Sequence, residues 1–351
     1  MMRIGIIGGS GYVGGELLRL LLLHHHVEVT LVTSRQSAGE YVFNIHPNLR
    51  GLTQLKFVPQ DIAELQKNCD LIFTATPHGG SVSLVPQLLE AGLKVIDMSA
   101  DFRLKNPNDY ETYYGWKHSN HTMLKKAVYG LPELHREEIK NASLVACPGC
   151  MATSTILGLA PIVKTGLVDP DKIIVDLKVS SSGGGSKPTS ASHHPERFSG
   201  VRPYQVTGHR HIAEVEQELS TLSGQPVKIG FTPHAVNMVR GILATIYTYP
   251  KQPLTSKDLW KALRGMYGNE PFIRLVKYQK GQFQLPDPKI TLGTNFCDIG
   301  FEIDQHTNRL LMFSALDNMC KGASGQGVQC LNLLMGIDET TGLKSTGFHP
   351  M

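Results

Sequence analysis

The fold is decided near the start of the chain, where residues 4–18 read IGIIGGSGYVGGELL. A short apolar run ends there in a turn with Gly8, Gly11 and Gly14, and a helical segment follows. Glycines at this spacing let the backbone turn sharply and approach a pyrophosphate that lies on the helix N-terminus. A glycine triplet alone also fits a purely structural turn, but its place between a strand and a helix favours a dinucleotide site.

The alternation that begins at this turn continues to about residue 150. Apolar runs typical of strands alternate with amphipathic segments typical of helices, which predicts an α/β domain with a Rossmann-type, doubly wound parallel sheet. The predicted strands span residues 3–7, 28–33, 71–76, 94–98 and 143–146, and the clearest helices span 14–24 and 81–92.

The sequence changes in character after Cys150, where longer strand-like runs replace the regular alternation. Strands are predicted at residues 172–180, 225–231, 242–249, 299–304 and 310–315, and helices at 151–165, 214–222, 256–268 and 322–335. This pattern predicts a second, α+β domain with a mixed, mostly antiparallel sheet. The expected division is 1–149 for the nucleotide domain, with 318–351 returning to it, and 150–317 for the catalytic and dimerisation domain.

Length and composition agree with two globular domains. The chain has 351 residues, more than the ~250–300 at which a single core usually stops growing. No apolar run approaches the ~18 residues of a membrane span. The net charge of +4, without a block of basic residues, does not favour nucleic-acid binding. The N-terminus lacks the features of a signal peptide and the six cysteines are scattered, so we expect a cytoplasmic protein with reduced thiols.

The end of the second predicted strand bears on the choice of dinucleotide. An NAD-preferring site would present Asp or Glu there to bind the ribose 2′-hydroxyl. This chain has Ser34, Arg35 and Gln36 instead. A hydroxyl and a guanidinium suit a 2′-phosphate, so NADP(H) is the predicted cofactor. The alternative is that Arg35 is a solvated loop residue.

A second turn, in residues 145–154 (VACPGCMATS), places Cys150 at the start of a helix. Unpaired backbone N–H groups at that position favour a thiolate and lower its pKa from the ordinary value of about 8.5. Cys150 is therefore a predicted nucleophile. The Cys147-x-x-Cys150 spacing also permits a zinc site, a redox-active disulfide or an inactivating disulfide, although no second ligand pair stands at zinc-finger spacing and no metal is predicted.

Residues 204–214 (YQVTGHRHIAE) supply the groups that a catalytic thiol requires. Imidazole transfers protons near neutral pH, and His209 is the preferred acid/base over His211. Because the chain contains 15 histidines, most of them are expected to have no catalytic role.

Taken together, these residues resemble the N-acetyl-γ-glutamyl-phosphate reductase family of arginine biosynthesis, itself similar to aspartate-semialdehyde dehydrogenases, which implies a semialdehyde-dehydrogenase-like fold. The matching stretches, spread over almost the whole chain, are residues 8–12 (GGSGY), 74–79 (TATPHG), 97–103 (DMSADFR), 129–133 (YGLPE), 148–150 (PGC), 208–211 (GHRH) and 317–318 (DN). The resemblance implies NADPH-dependent reduction of an acyl phosphate to an aldehyde, through a thioester on Cys150 with His209 as acid/base. It also implies that Asn318 contacts the nicotinamide side and that two groups hold the adenosine phosphates: Gly8 with Ser10, Gly11, Tyr12 and Val13, and Ser34 with Arg35 and Gln36.

Other stretches are more similar to one branch of that family. Residues 192–197 (SHHPER), 201–204 (VRPY) and 233–236 (PHAV) resemble enzymes whose substrates are tethered to the acidic amino-group carrier protein LysW. That branch serves lysine synthesis through aminoadipate, arginine synthesis through glutamate, or both, and the ordinary N-acetylated substrate is the alternative. The resemblance further implies a homo-oligomer, a dimer or tetramer. Cys147 departs from the family pattern, which has Asn at this position.

Several residues are candidates for holding the substrate. A guanidinium fork and a glycine-rich run of amides both suit an oxyanion, so Arg103 and the loop with Ser182 and Gly183 are expected to hold the departing phosphate. Arg210 is a candidate for the substrate α-carboxylate, and Glu214 is grouped with it. Arg103 has an alternative role as an ion-pair partner of Asp101. The functional alternative is a non-enzymatic NADP(H) sensor, which would require neither Cys150 nor His209.

Overall fold

The computed structural model describes residues 1–350. Within them the strands are β1 (Met2–Ile7), β2 (Val27–Thr33), β3 (Phe57–Val58), β4 (Leu71–Thr74), β5 (Lys94–Asp97), β6 (Val128–Tyr129), β7 (Leu144–Ala146), β8 (Ile173–Val179), β9 (Arg202–Pro203), β10 (Ile229–Ala235), β11 (Ile242–Thr248), β12 (Ile273–Leu275), β13 (Cys297–Asp304) and β14 (Arg309–Leu316). The α-helices are α1 (Tyr12–Leu21), α2 (Val42–Ile45), α3 (Ile62–Asn68), α4 (Leu84–Glu90), α5 (Asn108–Tyr114), α6 (His121–Lys126), α7 (Pro132–Lys140), α8 (Cys150–Lys164), α9 (His194–Arg197), α10 (His211–Ser223), α11 (Ser256–Tyr267), α12 (Pro288–Thr291) and α13 (Gly325–Leu334). None of the helices in residues 1–350 has the length and apolar character to cross a membrane.

The first compact unit consists of Met1–Pro148 and Ala323–Lys344. Its seven strands form a sheet in the order β3-β2-β1-β4-β5-β7-β6, and the paired strands run parallel. The strand order reverses between β1 and β4, and in such sheets ligands bind beyond the carboxyl ends of the strands at that point. Ile4, Ile6 and Phe73 on these two strands are fully buried in the core.

The second unit contains Gly149–Gly322 and a mixed sheet in the order β12-β13-β14-β11-β8-β10-β9. Buried and half-buried residues alternate along β8, β10 and β11, which is typical of strands that pack one face on the core. Helix α8 covers that face and is buried along nearly its whole length. Ser154 on this helix donates to Ser314 on β14 over 3.0 Å.

The predicted fold class is confirmed in both units, whereas one strand was placed wrongly. The strand expected at residues 225–231 lies at Ile229–Ala235, where it pairs in parallel with β8. Pro233 conceals this register in the sequence, because a proline normally argues against a sheet interior. It is tolerated because the neighbour on that side, β9, is only two residues long.

The division into units differs in detail from the predicted one. The chain divides between Pro148 and Gly149, and only Ala323–Lys344 of the C-terminal part belongs to the first unit. Residues 318–322 and 345–350 group with the second unit. The Asp317 carboxylate ties this region to the second unit, because it accepts the Gly293 N–H over 2.7 Å.

Candidate active site

The glycine turn of the first unit has the geometry that its sequence predicts. Gly8 has a φ of +82°, and a Cβ there would lie 2.4 Å from the Ala75 carbonyl oxygen. A Cβ on Gly14 would lie 2.6 Å from the Gly9 Cα, so this contact between turn and helix requires glycine. Gly11 caps α1 in an extended conformation without a side-chain hydrogen bond. The N-terminus of this helix thus offers backbone N–H groups to an anion.

The residues around this turn lie at the carboxyl ends of β1 and β2. The hydroxyls of Ser10 and Ser34 are 2.9 Å apart, and Ser34 Oγ also accepts the Ser37 N–H over 3.1 Å. Arg35 and Gln36 are exposed beside them. Tyr12 is exposed as well, and the Val13 carbonyl accepts a bond from Ser324 Oγ over 2.9 Å.

Two buried carboxylates, absent from the predicted site, organise the loop that follows β4. Asp101 accepts the N–H groups of Gly79 and Ser81 over 2.7 and 2.8 Å. Asp97 accepts the hydroxyls of Thr74 and Ser81 over 2.6 and 2.9 Å. Burial, and next the charge of Asp97, raises the pKa of Asp101 to about 6. In the sequence, residues 97–103 (DMSADFR) show two carboxylates and a serine close together, but this pattern does not reveal their partners.

Arg103 is buried against backbone carbonyls of the first unit. Its Nε donates to the Cys147 carbonyl over 2.6 Å, and its Nη2 donates to the Met98 carbonyl over 3.2 Å. The guanidinium therefore holds the segment that leads to Pro148. This geometry favours a role in positioning that segment over the predicted direct contact with phosphate.

The thiol of the second unit lies at the first residue of α8. Gly149 caps this helix in an extended conformation, again without a side-chain cap, and Cys150 is partly accessible. The Gly149 N–H donates over 2.9 Å to Oε2 of Glu214, which is fully buried. The His211 ring packs on the same glycine, since a Cβ there would lie 2.3 Å from its Nε2.

His209 is buried against His211, with ring centroids 4.9 Å apart, and its tautomer follows from one hydrogen bond. Its Nδ1 accepts the His211 N–H over 3.1 Å, and its ring stacks on Phe231 with centroids 5.1 Å apart. Burial, and next the charge of Arg210, lowers the pKa of His209 to about 4. The ring is therefore neutral near pH 7 with its proton on Nε2, and can donate that proton.

Tyr204 completes the surroundings of the thiol and was not among the predicted residues. Its hydroxyl lies 4.0 Å from Met151 Sδ, next to Cys150 in the chain, and its ring meets the His209 ring edge-on at 6.1 Å. Burial, and next the charge of Cys150, raises the pKa of Tyr204 to about 12, so the phenol keeps its proton. Arg210 is half-buried at the start of α10.

Asn318 joins the glycine-rich loop to the rest of the second unit. Its Oδ1 accepts from Ser180 Oγ and the Gly241 N–H over 3.0 and 2.8 Å, and its Nδ2 donates to Ser182 Oγ over 2.9 Å. Both ends of the amide thus bond to the protein itself. Gly183 is exposed in the same loop.

The predicted residues fall into two groups. Cys150, His209, Arg210 and Glu214 belong to the second unit, as do Ser182, Gly183 and Asn318. The glycine turn, Ser34–Gln36 and Arg103 belong to the first. None of the six cysteines forms a disulfide, and residues 1–350 contain no cluster of three or more His, Cys, Asp or Glu side chains that could hold a metal ion.

Comparison with known proteins assigns the chain to a family. Residues 3–142 match the semialdehyde dehydrogenase NAD-binding domain, and residues 150–318 match the semialdehyde dehydrogenase dimerisation domain. The chain is 49% identical over 349 residues to the LysW-L-2-aminoadipate/LysW-L-glutamate phosphate reductase of Saccharolobus solfataricus, with 99% of each chain covered. It is 49% identical over 350 residues to the enzyme of the same name from Sulfurisphaera tokodaii, with 100% of each covered.

Solved structures show the same fold at low sequence identity. Aspartate semialdehyde dehydrogenase II of Vibrio cholerae superimposes with a TM-score of 0.70 at 18% identity, covering 96% of this chain and 98% of that one. The Candida albicans enzyme gives 0.71 at 16% identity, covering 95% and 98%. The chain belongs to the semialdehyde dehydrogenase family of oxidoreductases, in the branch of the LysW-L-2-aminoadipate/LysW-L-glutamate phosphate reductases.

Proposed function

We propose that this protein uses NADPH to reduce a LysW-carried aminoadipyl or glutamyl phosphate to the semialdehyde, with release of phosphate, in lysine and arginine biosynthesis. The observation that carries the proposal is the thiol at the start of α8, on a turn that Glu214 holds and His211 contacts, with the buried, neutral imidazole of His209 next to His211. The names of the relatives support the choice of substrate. An N-acetylated glutamyl phosphate is the second candidate, because the sequence also resembles the ordinary arginine enzymes.

The first unit fits a bound dinucleotide. The uncapped start of α1 and the glycine-only contacts at Gly8 and Gly14 suit a pyrophosphate. Ser10, Ser34, Arg35 and Gln36 form a polar group without a carboxylate, which suits a 2′-phosphate. We therefore assign NADP(H), held by Gly8, Ser10, Gly11, Tyr12, Val13 and residues 34–36. When bound, the reduced nicotinamide supplies the hydride that converts the thioester to a thiohemiacetal.

Cys150 performs the covalent step. The α8 N-terminus favours its thiolate, which attacks the acyl carbon; the C–O bond to phosphate breaks and inorganic phosphate departs with the electron pair. His209 Nε2–H donates to the oxygen that gains negative charge after reduction. This hydrogen bond stabilises the thiohemiacetal oxyanion, whose electron pair then re-forms the C=O bond as the C–S bond breaks, which releases the aldehyde and restores the thiolate.

Other residues of the second unit position these groups or bind the substrate. Ser182 and Gly183 present hydroxyl and backbone donors for the departing phosphate, and Arg210 is assigned to the α-carboxylate. Glu214 and Arg103 hold the two sides of the turn before Cys150, and Asn318 holds the glycine-rich loop. We infer that these three act by positioning rather than by contact with the reacting atoms.

We assign the face of the second sheet that is opposite α8 to contact with another copy of this chain. Leu243, Tyr247, Leu311 and Phe313 point away from α8 on adjacent strands and are only half-buried. An apolar sheet face of this kind is normally covered. The match to a dimerisation domain supports a homo-oligomer. Phe313→Asp should therefore give a smaller species in sedimentation, and an unchanged mass would contradict the assignment.

A cytoplasmic location stays a prediction.

The assay that tests the function runs the reaction in reverse. LysW-linked and N-acetylated semialdehydes of glutamate and aminoadipate are each supplied with phosphate and NADP⁺, and NADPH formation is followed. We expect the LysW-linked compounds to give the higher kcat/KM. Preference for the N-acetylated glutamate compound would establish the second candidate, and no reduction with any of them would favour the sensor.

The variant Cys150→Ser separates catalysis from nucleotide binding. It should bind NADPH normally and lose activity by at least ~10³-fold, because no covalent thioester forms. Cys147→Ser is the matched control, and in reducing buffer it should keep most of the activity. Normal turnover by Cys150→Ser would remove covalent catalysis from the proposal.

A further inference from the structure

One ordered surface of the second unit has no part in the chemistry described above. It consists of residues 187–203, between the glycine-rich loop and Tyr204, and nearly all of its side chains are exposed. Two of them are large and apolar: Phe198 is 58% exposed and Val201 is 70% exposed. Exposed apolar side chains with polar residues around them are typical of a recognition surface.

The segment is shaped by its own hydrogen bonds. Thr189 and Ser192 form a reciprocal capping pair, and Arg202 donates to the Ala191 carbonyl over 3.2 Å. Phe198 stacks on His194 with ring centroids 5.1 Å apart. Ser199 has a φ of +56°, an unfavourable conformation for a residue with a Cβ. Such strain persists only where the surrounding structure enforces it, and it concentrates at functional positions.

The charge of the segment indicates what it binds. Lys187, Arg197 and Arg202 are cationic, two histidines stand between them, and Glu196 is the single carboxylate in residues 187–203. An apolar centre with a basic rim is complementary to an acidic protein face with apolar side chains at its middle. A small substrate would not require a surface of this extent.

The segment is also placed where it can deliver a tethered group to the thiol. Arg197 Nη2 donates over 2.8 Å to the Val179 carbonyl, at the end of β8 where the glycine-rich loop begins. The segment ends at Tyr204, whose hydroxyl lies close to Met151, the neighbour of Cys150. A domain seated on residues 187–203 would therefore hold its attached acyl group next to the catalytic segment of the same unit.

We propose that residues 187–203 form the docking surface for a small acidic protein domain that carries the acyl phosphate covalently. The proposal rests on the proposed function, since it names where the carrier of that substrate binds. Phe198 and Val201 provide the apolar contact, and Lys187 and the arginines provide electrostatic steering. Reactions of the small N-acetylated substrates do not depend on this surface.

The test compares carrier-linked and free substrates in one variant. Phe198→Ser/Val201→Ser is assayed in reverse with LysW-linked semialdehyde and with the N-acetylated semialdehyde. The KM for the LysW-linked compound should rise about tenfold or more, because truncating central apolar contacts typically costs more than ~1 kcal/mol each. The KM for the acetylated compound should stay within about twofold. Leu23→Ser, at a 58% exposed site of the first unit, is the matched control and should change neither.

Two other readouts keep the result unambiguous. If the wild type accepts only the LysW-linked compound, iodoacetamide labelling of Cys150 replaces the assay with the small substrate. The labelling rate of the variant should then equal that of the wild type. If the wild type reduces neither compound, the proposed function fails; calorimetric titration with unloaded LysW then decides docking, and wild-type binding that the variant weakens would support it. Equal KM changes for both substrates, no change for either, no LysW binding, or a smaller oligomer of the variant would overturn the proposal.

Discussion

The two helix-opening turns of this protein share one backbone design and differ in what supports them. Gly11 before α1 and Gly149 before α8 are both extended N-caps without a side-chain hydrogen bond. The first turn is closed by backbone contacts, with Gly8 against the Ala75 carbonyl and Gly14 against the Gly9 Cα. The second is held by two side chains distant in sequence, since the Glu214 carboxylate on α10 accepts the Gly149 N–H and the Arg103 guanidinium donates to the Cys147 carbonyl.

That difference fits the two proposed tasks. A pyrophosphate is bound by backbone N–H groups, so a turn made of glycines and left open to solvent is sufficient. A nucleophile must hold a single atom in place while bonds form and break, and small displacements are costly there. A buried side chain that bonds to the turn fixes such an atom better than backbone contacts alone. We therefore expect catalysis to depend on the side chains that hold the second turn, and nucleotide binding to depend on the backbone of the first.

Among changes that leave the catalytic thiol in place, the largest effect is expected from adding one methyl group to each turn. Gly149→Ala places a Cβ 2.3 Å from His211 Nε2 and must displace that ring or the turn. A misplacement of about 1 Å near reacting groups costs on the order of 10²-fold in kcat. Gly14→Ala, with its Cβ 2.6 Å from the Gly9 Cα, should instead raise the Kd for NADPH. Steady-state kinetics and fluorescence titration of NADPH separate the two; a loss of NADPH affinity in Gly149→Ala would break the contrast.

A smaller effect is expected when only the charge of Glu214, which holds the second turn, is removed. Glu214→Gln keeps an oxygen for the Gly149 N–H but loses a charge-assisted bond, worth about 1.5–3 kcal/mol. We expect kcat to fall roughly 10- to 100-fold while the Kd for NADPH is unchanged. The pH dependence of the Cys150 alkylation rate should shift as well, because the Glu214 carboxylate lies near the N-terminus of α8, where the thiol stands. An unchanged alkylation profile would mean that Glu214 has only a structural role.

The same contrast explains what the sequence could predict. Both turns, the two sheet types and Cys150 follow from local patterns, because glycine spacing and hydrophobic periodicity are local properties. The contact between Glu214 and Gly149 joins residues 65 positions apart, and the carboxylate was predicted only as a substrate ligand. Arg103 and Asn318 were likewise assigned to ligands, whereas their polar atoms bond to the protein. A single sequence identifies such groups but not their partners.

A charge placed beside the first turn tests whether the two turns have separate tasks. Ser34→Asp places a carboxylate next to Ser10, because the hydroxyls of these two serines lie 2.9 Å apart. It should raise the KM for NADPH about tenfold and improve NADH relative to it, since carboxylate repels a 2′-phosphate and accepts the ribose hydroxyl. Because Ser34 belongs to the first unit and Cys150 to the second, iodoacetamide labelling of Cys150 should be unaffected. An unchanged NADPH/NADH ratio would remove Ser34 from the cofactor site.

The smallest effect concerns the proton of His209, which the second turn holds in a buried position. Its pKa is lowered from the ordinary 6.5 to about 4 by burial and next by Arg210, so the unfolded chain binds this proton at a higher pH than the folded one. The contribution of His209 to stability is therefore complete above pH 6.5 and is lost as the pH falls from 6.5 toward 4, with a total on the order of 1–3 kcal/mol. Denaturant unfolding of the wild type and His209→Asn at intervals between pH 7.5 and 4.5 measures it. The wild type should lose more unfolding free energy than the variant over this range. Parallel curves, or an imidazole NMR signal that titrates near 6.5, would show that folding does not lower the pKa of His209 and would contradict the buried environment inferred for its ring.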